Sequence, residues 1–241
     1  MQANIADNVI DLLFPRRCPV CGEILSHPKD SGYICPDCRG ELSYVQPPFC
    51  MQCGKHVEEE EQEYCQDCKG HQRSFVRGFP VFVYDGAVKD SVMAFKYKNR
   101  REYASFYAGE MMDRYGEILR SLQVDAVVPV PVHKSRYRSR GYNQAEVLAR
   151  ELGHLLNVPC RSDILVRYHK THVQKELDYR QREKNLENAF KRVQNGVKLD
   201  KVLMVDDIYT TGATMEACAS VLKKTGVKKV YYTSICIGTD R

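Results

Sequence analysis

Residues 202–214 read Val202-Leu203-Met204-Val205-Asp206-Asp207-Ile208-Tyr209-Thr210-Thr211-Gly212-Ala213-Thr214. Four apolar residues in a row form a strand buried on both faces, as in a parallel sheet. Two adjacent carboxylates stand at its tip, and a Thr/Gly loop then opens a helix over Ala213–Thr225. Neighbouring acids can accept hydrogen bonds from the vicinal hydroxyls of a ribose. The backbone N–H groups of Thr210, Thr211, Gly212, Ala213 and Thr214, the threonine hydroxyls and the helix N-terminus together make a phosphate cradle. Gly212 has no side chain, so an anion can approach the backbone closely there. A plain strand–turn–helix with a capping threonine and two solvated acids explains each residue singly. It does not explain their order.

Outward from this segment, strands alternate with helices from Gly78 onward. Val81–Tyr84, Val124–Val130, Ile164–Tyr168 and Lys201–Val205 have strand character, and Val227–Cys236 is a long strand or a strand pair. Val88–Lys98, Tyr103–Leu122 and Asn143–Leu156 have apolar residues at helical spacing, and Arg180–Leu186 is a charged, exposed element. Such alternation implies an α/β fold with a largely parallel sheet, whose ligands bind beyond the carboxyl ends of strands. The loops after Val130 and Val205 are therefore the places to search. The first, Pro129–Asn143, reads as a flexible basic loop holding Lys134, Arg136, Arg138, Arg140 and Gly141. Arginines there can grip a diphosphate through bidentate contacts. A solvated patch or a nucleic-acid surface fits the same spacing, with Tyr137 and Tyr142 as stacking partners for a single strand. Lys96 read alone is a helix-surface lysine; it can also bring a point charge to the same phosphates.

The N-terminal part is organised by cysteine. Eight of the eleven cysteines fall in four C-x2-C pairs, Cys18–Cys21, Cys35–Cys38, Cys50–Cys53 and Cys65–Cys68, with 13, 11 and 11 residues between successive pairs. Two intervening residues let a tight turn aim both sulfurs at one metal, and two such knuckles complete a tetrahedral Cys₄ zinc shell. Sequential pairing is the default, and interleaved pairing fits the spacing as well. Four thiolates leave no open position, so both zinc sites are structural rather than catalytic. Redox chemistry is the lesser alternative. A segment with so few large apolar residues needs metal to fold. Cys160, Cys218 and Cys236 sit in apolar surroundings and read as packing residues. A charged linker follows the second ribbon, and the acidic run Glu58–Glu61 reads as a solvated loop tip within it.

Charge divides the chain the same way. Residues 1–74 hold seven Lys/Arg against twelve Asp/Glu, a net of −5, and the remainder holds 29 against 19, a net of +10. The basic part points to an anionic partner. No apolar run approaches the roughly 20 residues that span a bilayer. Met1–Phe14 has the spacing of a short amphipathic helix that packs on the neighbouring module, and it lacks the basic region and cleavage site of a secretory signal. The reduced cysteines then imply a cytoplasmic protein.

Residues 202–214 resemble the phosphoribosyl diphosphate signature of type I phosphoribosyltransferases. With the rest of the chain they are similar to the ComF family, also called the GntX family. The likeness runs through Leu12–Gly22, Phe95-Lys96-Tyr97, Pro129–Val132, Arg138–Gln144, and Thr171, Gln174, Leu177, Arg182, Asn185 and Ala189-Phe190, with Asn188 where a small residue is usual. The resemblance implies a double zinc ribbon over residues 1–74 and a Rossmann-like phosphoribosyltransferase domain over residues 75–241. It implies a site for 5-phosphoribosyl 1-diphosphate with Mg²⁺, with Asp206 and Asp207 as the catalytic pair. Lys96, Arg138, Arg140, Gly141 and Asn143 would then be diphosphate candidates, and Gln174 and Arg182 would lie in a hood over the site. It also implies a part in natural competence, the handling of incoming single-stranded DNA alongside competence-machinery proteins. The alternative is a nucleic-acid-binding factor whose sugar-diphosphate site is regulatory or vestigial. No acceptor is legible.

Overall fold

The computed structural model describes residues 15–25, 32–168, 188–193 and 196–238. Met1–Phe14, Arg180–Leu186, Gln174, Arg182, His169 and His172 lie outside the described residues. Two short helices, α1 (Pro36–Arg39) and α2 (Gln66–Lys69), belong to the cysteine-rich part. After them come β1 (Arg77–Val83), α3 (Gly86–Tyr97), α4 (Tyr103–Ser121), β2 (Ala126–Pro129), α5 (Lys134–Arg140) and α6 (Gln144–Leu156). The chain then forms β3 (Leu165–Arg167), β4 (Phe190–Arg192), β5 (Lys201–Tyr209), α7 (Ala213–Lys224) and β6 (Lys229–Ile237).

Four strands make one sheet in the order β1-β6-β5-β2, and every pair in it is parallel. β3 and β4 form a separate antiparallel pair. Side chains alternate across a strand, so the sheet feeds two cores. Val127, Leu203 and Val205 face one core with α3, α4, α6 and the first ribbon's Cys18 and Cys38. Ala126, Val128, Val202 and Met204 face the other with α7, β3, β4 and the cysteines of the second ribbon. Each face of the sheet thus carries one ribbon. The α/β class and parallel sheet expected from the alternation are present.

Several boundaries differ from the sequence expectations. The strand expected to stop at Val205 pairs with β6 through Tyr209, in register Asp206↔Ser234 and Tyr209↔Ile237. The carboxylates therefore sit within a hydrogen-bonded strand rather than at its tip. The first strand begins at Arg77, ahead of its expected start, because β6 supplies a partner from Tyr231 onward. The middle of the stretch expected to be a flexible basic loop, Lys134–Arg140, is the helix α5. Glu58–Glu61 is exposed as expected, but it lies inside the second ribbon, between Cys53 and Cys65, and not in a linker after it.

The ribbons are joined to the sheet by backbone as well as by core. Val45 N donates to Val81 O at 3.0 Å and Val83 N to Ser43 O at 2.7 Å, so residues 43–45 cover the outer edge of β1. That removes an unpaired edge. On α4 the buried Glu110 carboxylate accepts from Arg39 Nη1 at 2.8 Å and Tyr44 Oη at 2.6 Å. Burial, then Glu110, pushes the Tyr44 hydroxyl up to about 12, so the phenol keeps its proton and donates. Glu110→Ala strands two polar groups at this seam and should lower stability by about 2 kcal/mol in urea unfolding. An unchanged midpoint would show that the seam contributes little.

Candidate functional site

The sulfurs of Cys18, Cys21, Cys35 and Cys38 all lie within 4.8 Å of one another, and so do those of Cys50, Cys53, Cys65 and Cys68. Pairing is therefore sequential. Cys21 and Cys35 Sγ are 3.7 Å apart and Cys53 and Cys65 Sγ 3.6 Å apart. Thiolates at ~2.3 Å from zinc stand ~3.8 Å apart at the corners of a tetrahedron, so the donor sets fit that ion. Local structure builds each half. Gly22 and Gly54 turn with φ of 77° and 75°, and their N–H groups donate to Cys18 O and Cys50 O. Cys35 and Cys65 stand at the N-caps of α1 and α2. Among the described histidines of this part, His56 and His71 set Nδ1 against the carbonyls of Gln46 and Asp67. Cys218 and Cys236 are buried and Cys160 is half-buried.

β5 carries Asp206 to a small solvent-open recess lined by Asp206, Ile208, Thr210, Gly212 and Thr214, and Asp207 is not among its lining residues. Consecutive strand residues point to opposite faces, and the two carboxylates have different surroundings. Asp207 Oδ1 meets Lys96 Nζ of α3 at 3.0 Å. Asp206 turns toward α7 and β3, where Arg167 and Cys218 feel its charge, and its Oδ1 accepts from Asp207 N at 2.8 Å. Burial, then the neighbouring Asp207, pushes Asp206 up to about 8, against the pull of Lys96 and Arg167. The acids are therefore not an equivalent pair: one is salt-bridged, and the other is held above the ordinary carboxylate range by burial and by its neighbour.

The Thr210–Thr214 loop leads into α7, with Gly212 as its N-cap at φ 76°. That left-handed conformation favours glycine. A Cβ there would also overlap the Tyr209 hydroxyl. Gly212 is thus needed for the turn and for the tyrosine beneath it, in addition to any ligand. Thr210 and Thr211 are exposed, and Ala213 and Thr214 are half-buried at the first turn.

The residues of the basic segment have different surroundings. Asn143 is buried, caps α6 through Ala145 N at 3.2 Å, and donates from Nδ2 to Val130 O at 3.1 Å. It ties α6 to the end of β2 and is not open to a diphosphate. Gly141 ends α5 at φ 79°. Arg140 donates to Gln144 Oε1 at 2.9 Å and Tyr97 Oη at 2.7 Å, with its guanidinium 4.5 Å from the Tyr97 ring centre. Arg138 is exposed, as are Lys134 and Arg136. Tyr142 cannot stack on a base: it is buried, its hydroxyl donates to Phe95 O, and Arg101 covers its ring at 4.5 Å. Tyr137 stays exposed. His133 caps α5.

Two arginines at the site escaped the sequence reading. Arg167 of β3 lies over the Phe190 ring at 5.1 Å and pulls on Asp206. A lone arginine in an otherwise apolar strand was the available signal. Arg73 donates to Thr211 O from 138 residues away in sequence. No local pattern announces such a contact.

Comparison with known proteins agrees with this anatomy. Residues 9–69 match a double zinc ribbon domain and residues 123–239 a phosphoribosyl transferase domain. The DNA utilization protein YhgH of Salmonella typhimurium is 30% identical over 191 residues, 78% of this chain and 83% of that protein. Competence protein F of Haemophilus influenzae is 28% identical over 222 residues, 90% of this chain and 95% of that one. This chain belongs to the competence protein F family. Competence protein ComFC of Bacillus subtilis is 25% identical over 201 residues, 80% of this chain and 79% of that protein. Among solved structures, an adenine phosphoribosyltransferase covers 63% of this chain and 76% of its own at 14% identity and a TM-score of 0.39. Among the described residues, no helix is long and apolar enough to cross a membrane. The family assignment accounts for the double ribbon and the parallel sheet together.

Two measurements test the site as built. Elemental analysis should find two zinc ions per chain, falling to one in Cys53→Ser; two in that variant would break the assignment of the second cluster. The second measurement concerns Asp206. Its folded pKa of about 8 lies above the ordinary 3.8, so its ionisation opposes folding increasingly as pH rises between those values. Asp206→Asn removes that effect. Its gain in melting temperature over wild type should therefore be larger at pH 9 than at pH 6, and equal gains would contradict a raised pKa.

Proposed function

We propose that this chain binds 5-phosphoribosyl 1-diphosphate with Mg²⁺. The observation that carries the reading is the recess in which β5 sets Asp206 against the Thr210–Thr214 loop at the N-terminus of α7. A helix N-terminus suits the 5-phosphate, and the aspartates suit the ribose hydroxyls. Their hard oxygens also suit Mg²⁺, which needs few protein ligands when a diphosphate carries it. When bound, the ion neutralises charge on the leaving diphosphate. Lys96 and Arg167 add fixed positive charge beside the two acids. The chemistry fitting this site is displacement at C1. The C1–O bond breaks with its electron pair leaving on diphosphate, a C1–N bond forms, and the nitrogen acceptor sheds a proton. Positioning and electrostatics would supply the rate enhancement.

The decisive measurement is thermal stabilisation by 5-phosphoribosyl 1-diphosphate with Mg²⁺. At ligand 100-fold above Kd the melting temperature should rise by roughly 5–10 °C, and Asp206→Asn/Asp207→Asn should abolish the shift. An unshifted wild type would overturn the reading. Diphosphate release assayed across bases, amines and oligonucleotides then identifies the acceptor, or shows that the site binds without transfer.

A second reading concerns nucleic acid, and a specific surface favours it. Exposed Arg136 and Arg138 flank the exposed ring of Tyr137, and the Tyr97 ring lies exposed under Arg140. Basic side chains between aromatic faces suit a single strand. The relatives' names point to competence and DNA utilization, and we infer a cytoplasmic part in handling incoming single-stranded DNA. Oligonucleotide affinity should fall steeply between 50 and 200 mM salt, and Tyr137→Ala should weaken it by about 1–3 kcal/mol. Binding indifferent to both would remove this reading and leave the sugar-diphosphate site standing.

A further inference from the structure

The segment leaving the second ribbon runs directly to the phosphate loop. Arg73 is only 7% exposed, and its Nη2 donates to Thr211 O at 3.1 Å. In a planar trans peptide the C=O and the next N–H point to opposite sides. Holding Thr211 O toward Arg73 therefore turns the Gly212 N–H the other way, and Gly212 lines the recess. A cation at the oxygen end also polarises that peptide and strengthens its N–H as a donor. Ser74 then gives both N and Oγ to the Glu216 carboxylate, at 2.7 and 2.5 Å. Glu216 is the acidic residue of the first turn of α7. Engaging it with Ser74 keeps a negative charge from competing with an anion at the helix N-terminus.

Phe75 completes the connection. Its ring meets Tyr209 and Tyr232 edge-on at 6.4 and 5.0 Å, and those two tyrosines stack at 5.0 Å. Tyr232 Oη donates to Cys53 O at 2.8 Å, so one end of the stack rests on a zinc knuckle. The other end, Tyr209, fills the space beside Gly212. The first ribbon is placed elsewhere. Its polar ties run to Tyr103, Ser105 and Glu110 of α4, and its cysteines belong to the core on the other face of the sheet.

We propose that the second zinc ribbon, through Arg73, Ser74 and Phe75, sets the phosphate loop in its ligand-binding shape, and that the first ribbon does not. Arg73 is then a positioning residue, and zinc at Cys50, Cys53, Cys65 and Cys68 is linked to anion affinity. The affinity part rests on the sugar-diphosphate reading; the mechanical part does not.

The test uses the full chain in two arms. In the first, without ligand, hydrogen exchange is followed over residues 209–216 in Cys65→Ser, Cys35→Ser and Arg73→Met, with zinc content measured in each. Exchange in this segment should rise at least 10-fold in Cys65→Ser and Arg73→Met and stay within twofold in Cys35→Ser. Equal rises in both cysteine variants, or no rise in Cys65→Ser or Arg73→Met, overturn the proposal. In the second arm, titration calorimetry with 5-phosphoribosyl 1-diphosphate and Mg²⁺ should show about 10- to 100-fold weaker binding for Arg73→Met at full zinc occupancy. Arg73→Lys should recover part of the loss, which a packing defect alone would not give. Wild-type affinity in Arg73→Met overturns the linkage. If the wild type binds nothing, the sugar-diphosphate reading fails, and the exchange arm alone still decides whether the ribbon sets the loop.

Discussion

The parallel ladder between β5 and β6 governs everything else in this protein. It continues past the apolar run, through Asp206 and on to Tyr209 paired with Ile237. A strand that ended at Val205 would leave both carboxylates on a loop, free to turn toward water or toward each other. Held in the ladder, they separate to opposite faces by the pleat alone. Asp207 finds Lys96 on the α3 side, and Asp206 is left among Arg167, Cys218 and the start of α7. The same ladder delivers Tyr209 under the loop, where its ring and a left-handed Gly212 fit one another. The separation of the two acids and the seat of Tyr209 under the loop therefore both follow from where one strand stops.

That constraint also explains which features were legible in the sequence. The cysteine pairs were, because C-x2-C spacing encodes its own turn geometry and needs no distant partner. α4 and α6 were, since their apolar stripes run at helical spacing. The end of β5 was not. Asp-Asp-Ile-Tyr has poor strand character, and only the partner strand holds it extended, a tertiary effect that local preference does not carry. The basic stretch after Val130 was misjudged for a related reason: its charges suggested a loop, while their spacing permits the helix α5. Gly212 is legible as a turn glycine, and its neighbour Tyr209 supplies a further reason that the loop sequence alone does not contain. Arg73, Glu110 and Glu216 act across the chain, and the sequence gives no cue to their partners.

The electrostatics of the site are unbalanced in a way that bears on binding. Asp206 sits where burial and Asp207 both disfavour its charge. A group of this kind is often retained because the ligand's interactions require it. A ribose hydroxyl or a metal-bound phosphate oxygen would supply the polar partners that the protein withholds. Binding and ionisation of Asp206 would then be linked, each favouring the other, with Lys96 and Arg167 limiting the penalty until the ligand arrives.

The two ribbons, alike in sequence, are unequal in the fold. Each joins one face of the same sheet, so each closes a different core. The first is tied to α4 through a buried carboxylate, which makes it part of the scaffold. The second lies behind the strand ends that carry the Thr210–Thr214 loop, and its knuckle carbonyl holds the tyrosine stack beneath Gly212. A metal-organised module makes sense at that position on physical grounds. A loop that binds a phosphate as proposed must present backbone N–H groups to solvent, so it cannot be stabilised by burial of its own residues. Its rigidity has to come from behind, and four cysteines around one ion stiffen a small segment more than a few apolar contacts could. Under that proposal, duplicated motifs in this chain divide their labour by the face of the sheet on which each one lands.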